Sequence, residues 1–592
     1  MVISDNTIVL HTIISKRTNF IKMKLSIFKN ISVAMIALAT TIVACNPLNK
    51  MEKNAETATY QAAPNPLEMH GDSVTVVISG KIPTKYLAKK AAIKVTPVFE
   101  ADGQVVKSLD PFILVGEDSD QEGKKIKFEE GGSFSFDYTY AYDDKMERGV
   151  LKANLEGLFK TKSKAIGSFE IAEGTNITPK LVQADQKPIL GKDKFQRIVP
   201  FAESAEILYT IQSSSVRSSE LNKESVKTMM ANIKTNAKDT SVVFKSLAVE
   251  AYASPDGELT KNESLADNRA KSASAVIKRQ LNRYKVEGSK DDAFYSLVGK
   301  GEDWNGFKQK MQASDIEDKQ LIIRVLEMYS DPAKRETEIK NLSETYVEVK
   351  EKVLPPLRRS QIVLSMERVG RSDDQIKAAF ASDASQLSVE EILYAATLTN
   401  DLNEKLSIYS KAAELFSSDW RCVNNMGYIN LLQNKLGDAE ANFNKAKAIE
   451  ATPEVMNNVG VIAHLKGDRE AAKAAYAKAS GAGDEVNYNM GILAIQSGDY
   501  GSAVSNMGAY KTLNLALAQI LNGDAQGALT TIDASEDATS AEAYYLKAIV
   551  GSRTDNSDLM MKNLKLAVNK DNSLKAKALK DVEFIKADLS SL

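Results

Sequence analysis

The alternation of apolar and polar positions changes period three times along this chain. Between residues 72 and 195 it follows the two-residue period of strands. Val74, Val76 and Ile78 share one face of Ser73 to Gly80. Ala92 to Phe99 and Gly167 to Ala172 are further strand candidates, and Phe134, Phe136, Tyr138 and Tyr140 alternate through Ser133 to Tyr142. Several short strands separated by turn residues predict a β-sandwich. From Ser241 to Ala253 a mixed strand leads into a turn. The helix that follows carries Ala266, Ala270, Ala273, Ile277 and Leu281 as one apolar stripe. From about Ser388 onward the period is helical and itself repeats. The pattern therefore predicts a multidomain chain: a β-sandwich (72–195), an α/β domain (196–370) and an all-α solenoid (371–592).

In the solenoid Gly427, Gly460 and Gly491 lie 33 and 31 residues apart. Small and aromatic residues follow at fixed offsets: Ala439, Phe443 and Ala446, then Ala472, Tyr476 and Ala479, then Ala503, Met507 and Tyr510. Small residues let two helices approach, and the larger side chain fills the space to the next pair. Gly467-Asp468, Gly498-Asp499 and Gly523-Asp524 suit helix ends followed by N-caps. A shortened repeat covers Leu515 to Ile532, another runs from Ala541 to Val568, and Ser573 to Leu589 caps the array. This pattern resembles the tetratricopeptide repeat, whose period is about 34 residues. The resemblance implies a concave groove that binds peptides or partner proteins, here an envelope protein. Trp420 and His464 are single residues given no role, and Cys422 is expected in the core.

The N-terminus carries an export pattern. Met23 is the expected start, Lys24 and Lys29 supply positive charge, and Ile31 to Val43 is an apolar run shorter than the roughly 20 residues that span a bilayer. It ends in Ile42-Val43-Ala44-Cys45, which resembles the lipobox of bacterial lipoproteins. Residues 1–44 are then leader and signal peptide, Cys45 is the lipidation site, and 45–71, without apolar periodicity, reads as a flexible tether. The resemblance implies a membrane partner through the lipid. In Bacteroidota, surface-exported lipoproteins carry an acidic run after the cysteine. Asn46-Pro47-Leu48-Asn49-Lys50 has none, which favours the periplasmic face of an outer membrane.

Composition narrows the function. Among 592 residues, 76 basic and 78 acidic side chains leave a formal net charge of −2. Nucleic acid is therefore not an expected partner. The three histidines, His11, His70 and His464, lack metal-ligand spacing, and no phosphate loop or nucleophile elbow occurs. No enzyme, cofactor or metal is expected. Asp118 to Glu129 approaches a calcium-loop pattern, but its flanks are strand-like and Lys124, Lys125 and Lys127 lie within it, so it reads as an acidic turn.

The α/β region carries the remaining motif. Ala251-Tyr252-Ala253-Ser254-Pro255-Asp256-Gly257, followed by Asn262, Leu265, Arg269 and Ala270, resembles the OmpA-like peptidoglycan-binding domain. That resemblance implies a βαβαβ fold and a cell-wall peptide gripped by a turn aspartate and the helix arginine. A guanidinium suits the task because its fork meets a carboxylate with two bonds. Arg269 holds the arginine position, but Ser254 stands where the family has aspartate. Asp256 takes over only if Pro255 reshapes the turn. The alternative is a plain turn, with Arg269 a surface helix residue and the domain a spacer. Gly299 to Trp304, Leu354 to Arg359 and a last strand, Ser360 to Met366, extend the resemblance. The expected function is a non-enzymatic periplasmic scaffold, lipid-anchored in the outer membrane, recruiting proteins through its repeats. The alternative is a peptidoglycan tether.

Overall fold

The computed structural model describes residues 47–592; Cys45 and the leader lie outside the described residues. The chain falls into two compact units, one made of the residues up to Leu190 together with Asn430–Leu592, the other of Gly191–Ile429.

The first unit begins where a tether was expected, and that expectation needs correcting. Helix α1 (Pro47–Lys53) and strands β1 (Thr59–Ala63) and β2 (Leu67–His70) are folded. Leu48 and Met51 are each 1% exposed and join the same apolar core as the strands that follow. The segment hides its order because it divides among elements too short to show a period. Three apolar residues at most fall on any one face.

The strands that follow are β3 (Ser73–Ile82), β4 (Ala91–Ala101), β5 (Gln104–Ser108), β6 (Phe112–Gly116), β7 (Lys124–Ile126), β8 (Gly132–Ala141), β9 (Val150–Phe159), β10 (Lys162–Glu173) and β11 (Thr175–Asn176). One sheet has the order β1-β3-β2-β11, with β8 also paired to β3; the other runs β10-β9-β4-β6-β7, with β5 paired to β4. Val74, Val76 and Ile78 of one sheet and Ile93, Val95, Leu151 and Leu155 of the other belong to one buried cluster. Burying such side chains fully contributes about 1.5–3 kcal/mol each. Of the acidic stretch, Asp118 to Gly123 lies between β6 and β7, and Lys124–Ile126 forms β7 itself.

The second unit holds strands β12 (Ile198–Leu208), β13 (Val242–Ala253), β14 (Tyr295–Glu302) and β15 (Arg359–Val369), ordered β12-β15-β13-β14. β15 is antiparallel to both neighbours, while β13 and β14 are parallel. Parallel strands need a crossover, and helix α3 (Leu259–Arg283) supplies it. Together with α2 (Glu224–Asn236) it covers Leu247, Val249 and Ala251 of β13 and Ile362, Leu364 and Met366 of β15. Residues 304–357 form an insertion with its own apolar cluster. It includes α4 (Trp304–Ala313), α5 (Lys319–Met328) and α6 (Pro332–Lys340). After β15 come α7 (Asp373–Asp383), α8 (Val389–Ala395), α9 (Leu402–Leu415) and the start of α10 (Trp420–Leu432). Cys422 is fully buried there, and burial pushes its thiol up to about 12.

Helical hairpins complete the first unit. They are α11 (Leu436–Ile449), then α12 (Pro453–Leu465) with α13 (Arg469–Lys478), α14 (Asp484–Ser497) with α15 (Tyr500–Met507), α16 (Leu513–Leu521) with α17 (Ala525–Asp533), and α18 (Ala541–Arg553) with α19 (Ser557–Lys570). The short α20 (Ser573–Ala578) follows. This C-terminal region is an array of helical hairpins. The predicted caps are present: Asp468, Asp499 and Asp524 each accept a hydrogen bond from the amide three residues on. A Cβ on Gly460 would come within 2.6 Å of the Tyr476 ring, so the helix contact requires glycine. Within the same unit the array meets the sheets: Arg469 pairs with Asp72 at 2.7 Å, and the Tyr500 hydroxyl donates to the Met69 carbonyl.

Candidate functional site

Two places gather polar side chains in a way that packing does not require. The first is the inner face of the repeats. Asn458, Asn489 and Asn514 project from the first helices of successive hairpins and are at most 1% exposed. A buried carboxamide without partners is costly; these find theirs on the extended segment that follows β11. Asn514 Oδ1 accepts from the Gln183 amide at 2.8 Å, and its Nδ2 donates to the Gln183 carbonyl at 3.0 Å. Asn489 treats Lys187 in the same way, at 2.7 and 2.9 Å. Asn458 does so with Ile189, at 2.7 Å for both bonds.

Each carboxamide thus pairs with both main-chain groups of one residue as a neighbouring antiparallel strand would. The bonded residues are odd-numbered, so one edge of an extended chain is read. Asn457 reinforces the set, donating to the Lys187 carbonyl at 3.0 Å and accepting from Asn489 at 2.9 Å. Within the second unit Asn425 and Gly191 repeat the arrangement, at 2.7 and 2.8 Å.

Side chains of the bound segment are recognised as well. The Tyr488 hydroxyl donates to Asp185 at 2.7 Å, and the buried phenol is held well above its ordinary pKa, chiefly by desolvation. Lys187 Nζ lies 2.7 Å from Asp185 and 5.0 Å from the centre of the Tyr488 ring, a favourable cation–π placement. Ile189, 8% exposed, packs into the cluster of Val461, Ala475 and Tyr476. The groove therefore reads the main chain through asparagine and an Asp-x-Lys-x-Ile pattern through side chains.

The second place, inside the other unit, is the turn after β13. Ser254 Oγ donates to Asp256 Oδ1 and accepts from Arg358 Nε at 2.9 Å. Arg358 Nη2 lies 3.1 Å from Asp256 Oδ2, both side chains being under 10% exposed. Asn262 donates to Glu302 at 2.8 Å. The Glu302 carboxyl is pushed up by burial, against hydrogen bonds from Asn262 and Trp304 that pull it down.

Arg269 is 1% exposed, not a surface helix residue. Its guanidinium donates to the carbonyls of Ser213, Tyr252 and Thr210 at 3.0, 2.8 and 3.3 Å. Burial lowers its pKa to about 10. The structure thus brings Ser254 and Asp256 together with Arg358, a residue the sequence reading used only as a landmark. Asn262 reaches the Ser254 carbonyl at 3.4 Å. Arg269 is turned instead to the main chain.

No protein-family profile matches the chain, and no curated protein matches it. Solved structures similar in part include a tetratricopeptide repeat protein from Parabacteroides merdae at 15% identity, covering 36% of this chain and 91% of that one, with a TM-score of 0.26. Pseudomonas aeruginosa pilF matches at 15% identity over 37% of this chain and all of its own (100%), with a TM-score of 0.29. YrrB, described as a repeat protein with an unusual peptide-binding site, matches at 17% identity over 35% of this chain and 99% of its own, with a TM-score of 0.21.

Proposed function

We propose that this chain is a non-enzymatic protein-interaction scaffold of the bacterial cell envelope, anchored by lipid at Cys45 on the periplasmic face of an outer membrane. The observation that carries the interaction reading is the asparagine ladder. Buried carboxamides spaced at the repeat interval are useful for holding polypeptide main chain and for little else. The anchor rests on the lipobox resemblance, and the periplasmic face on the lack of acid after Cys45. In this reading the sheet-rich segment is a β-sandwich and residues 196–370 are an OmpA-like domain.

The tether alternative requires a free binding turn. Asp256 is instead paired with Arg358, and Arg269 is spent on three carbonyls. We therefore assign the OmpA-like domain a structural role.

The scaffold reading is tested in cells by a photo-crosslinking residue at exposed Lys447 or Lys473 of the repeats. Envelope proteins captured from both positions, and not from a position in β5, support it. Identical captures from all three would remove the repeats as the recruiting surface.

A further inference from the structure

Residues 182–190 occupy the groove as a ligand would, yet they belong to the chain itself. We propose that this segment is a displaceable strap, and that the groove's partner in trans is an extended polypeptide carrying an acidic residue, a lysine two positions on and an aliphatic residue two beyond that. The proposal rests on the scaffold reading above and names the chemistry of its partner.

Three features point to a ligand and not to a fixed linker. First, the recognition is distributed along one edge: Gln183, Lys187 and Ile189 are held by both main-chain groups. Such bonding accepts any residue that adopts an extended conformation, and it needs nothing from the opposite edge. Pro188, which has no amide hydrogen to give, sits on that unread edge.

Second, selectivity is added at alternate side chains. Asp185 meets the Tyr488 hydroxyl, Lys187 faces the Tyr488 and Tyr510 rings at 5.0 and 6.0 Å, and Ile189 enters an apolar pocket. This is the division between main-chain affinity and side-chain specificity seen where peptides add to a protein edge. Third, the strap adds little to the groove's apolar core, with Ile189 seated in one cluster and Val182 only at the margin of another. Among Val182 to Leu190, only Ile189 belongs to the buried apolar residues.

A strap tethered at its ends is present at an effective concentration on the order of millimolar. A partner of the same pattern therefore meets a groove that is mostly filled, and its apparent affinity falls by the fraction open. The strap sets a threshold: a matching segment must be abundant, or held nearby on the same membrane, before it displaces the internal one.

The test uses a fluorescent synthetic peptide of residues 181–190 and the full chain, read by anisotropy. In one variant residues 182–190 are replaced by a Gly/Ser linker of equal length. That variant is expected to bind the peptide about tenfold or more tighter than wild type. Adding Asn489→Ala should abolish the gain. A replaced variant that keeps its helical circular dichroism yet does not bind would overturn the proposal, as would wild type binding equally well.

Should the replacement fail to fold, the double variant Asp185→Ala/Lys187→Ala keeps the strap but loosens it. Peptide binding above wild type supports displacement, and binding equal to wild type overturns it. Either result is independent of the crosslinking experiment, which tests whether the repeats recruit proteins at all.

Discussion

Asn458 holds both main-chain groups of Ile189, accepting from its amide and donating to its carbonyl at 2.7 Å each. Neither side has water as a substitute, because Asn458 is fully buried and Ile189 nearly so. Asn458→Ala is expected to destabilise the first unit by about 1–3 kcal/mol, the range for leaving a buried donor or acceptor unmet. Asn458→Asp should cost at least as much, since a carboxylate still accepts from the amide but repels the carbonyl. Urea unfolding of the three proteins measures this; a loss below about 0.5 kcal/mol for both variants would show that the pairing is not structural.

Gly460 makes a second, steric prediction. A methyl there would stand 2.6 Å from the Tyr476 ring, and Tyr476 is fully buried. Gly460→Ala should therefore cost about 1–3 kcal/mol by overpacking, against the usual gain from alanine in a helix. The double variant Gly460→Ala/Tyr476→Leu should recover part of the loss in a thermal melt. Additive losses would separate the two residues.

Arg269 and Asp256 bear on the cell wall. Arg269→Ala removes three donors from buried carbonyls, and a fall of about 3 kcal/mol or more in stability is expected. The wild-type chain should not co-sediment with murein sacculi. Retention that disappears in a folded Asp256→Asn variant would put the tether reading ahead of the scaffold.

Acid should weaken the second unit at one identifiable network. Arg421 pairs with both Glu390 and Asp419 at 2.7 Å. The Glu390 carboxyl is lowered chiefly by the Arg421 hydrogen bond; for Asp419, burial raises it but the Arg421 bonds prevail and the net shift is downward. Groups lowered on folding stabilise fully above their unfolded values, about 4, and lose that contribution as pH falls through the folded values. Stability measured from pH 6 to 3 should drop more steeply in wild type than in Arg421→Met. Parallel profiles would remove the network as a source of acid sensitivity.

The repeat hairpins were legible because glycine, alanine and aromatic positions recur with the helix-pair interval, and helix packing leaves few other choices there. The asparagine ladder carried the same signal and was missed. Asn425, Asn458 and Asn489 each stand two residues before Gly427, Gly460 and Gly491, so the polar position has the period of the small one. Its partner was not legible. Val182 to Leu190 mixes polar and apolar residues without a period and carries a proline, and nothing local says that an extended chain will lie in a groove built some 270 to 330 residues later.

At the Ser254 turn the sequence located the turn and the helix but not Arg358, which arrives from a distant strand boundary. The folded segment after Cys45 was hidden for a different reason. Leu48 and Met51 bury against strands far along the chain, and no local period announces such contacts.

The central claim is that the repeats hold the main chain of residues 183–189 through asparagine. Residue-resolved amide hydrogen exchange on the intact protein tests it most directly. The account predicts an alternating pattern, with the Lys187 and Ile189 amides exchanging slowly and those of Gln186 and Leu190 fast. The Lys187 protection should be lost in Asn489→Ala. Uniformly fast exchange from 182 to 190, unchanged by that substitution, would contradict it.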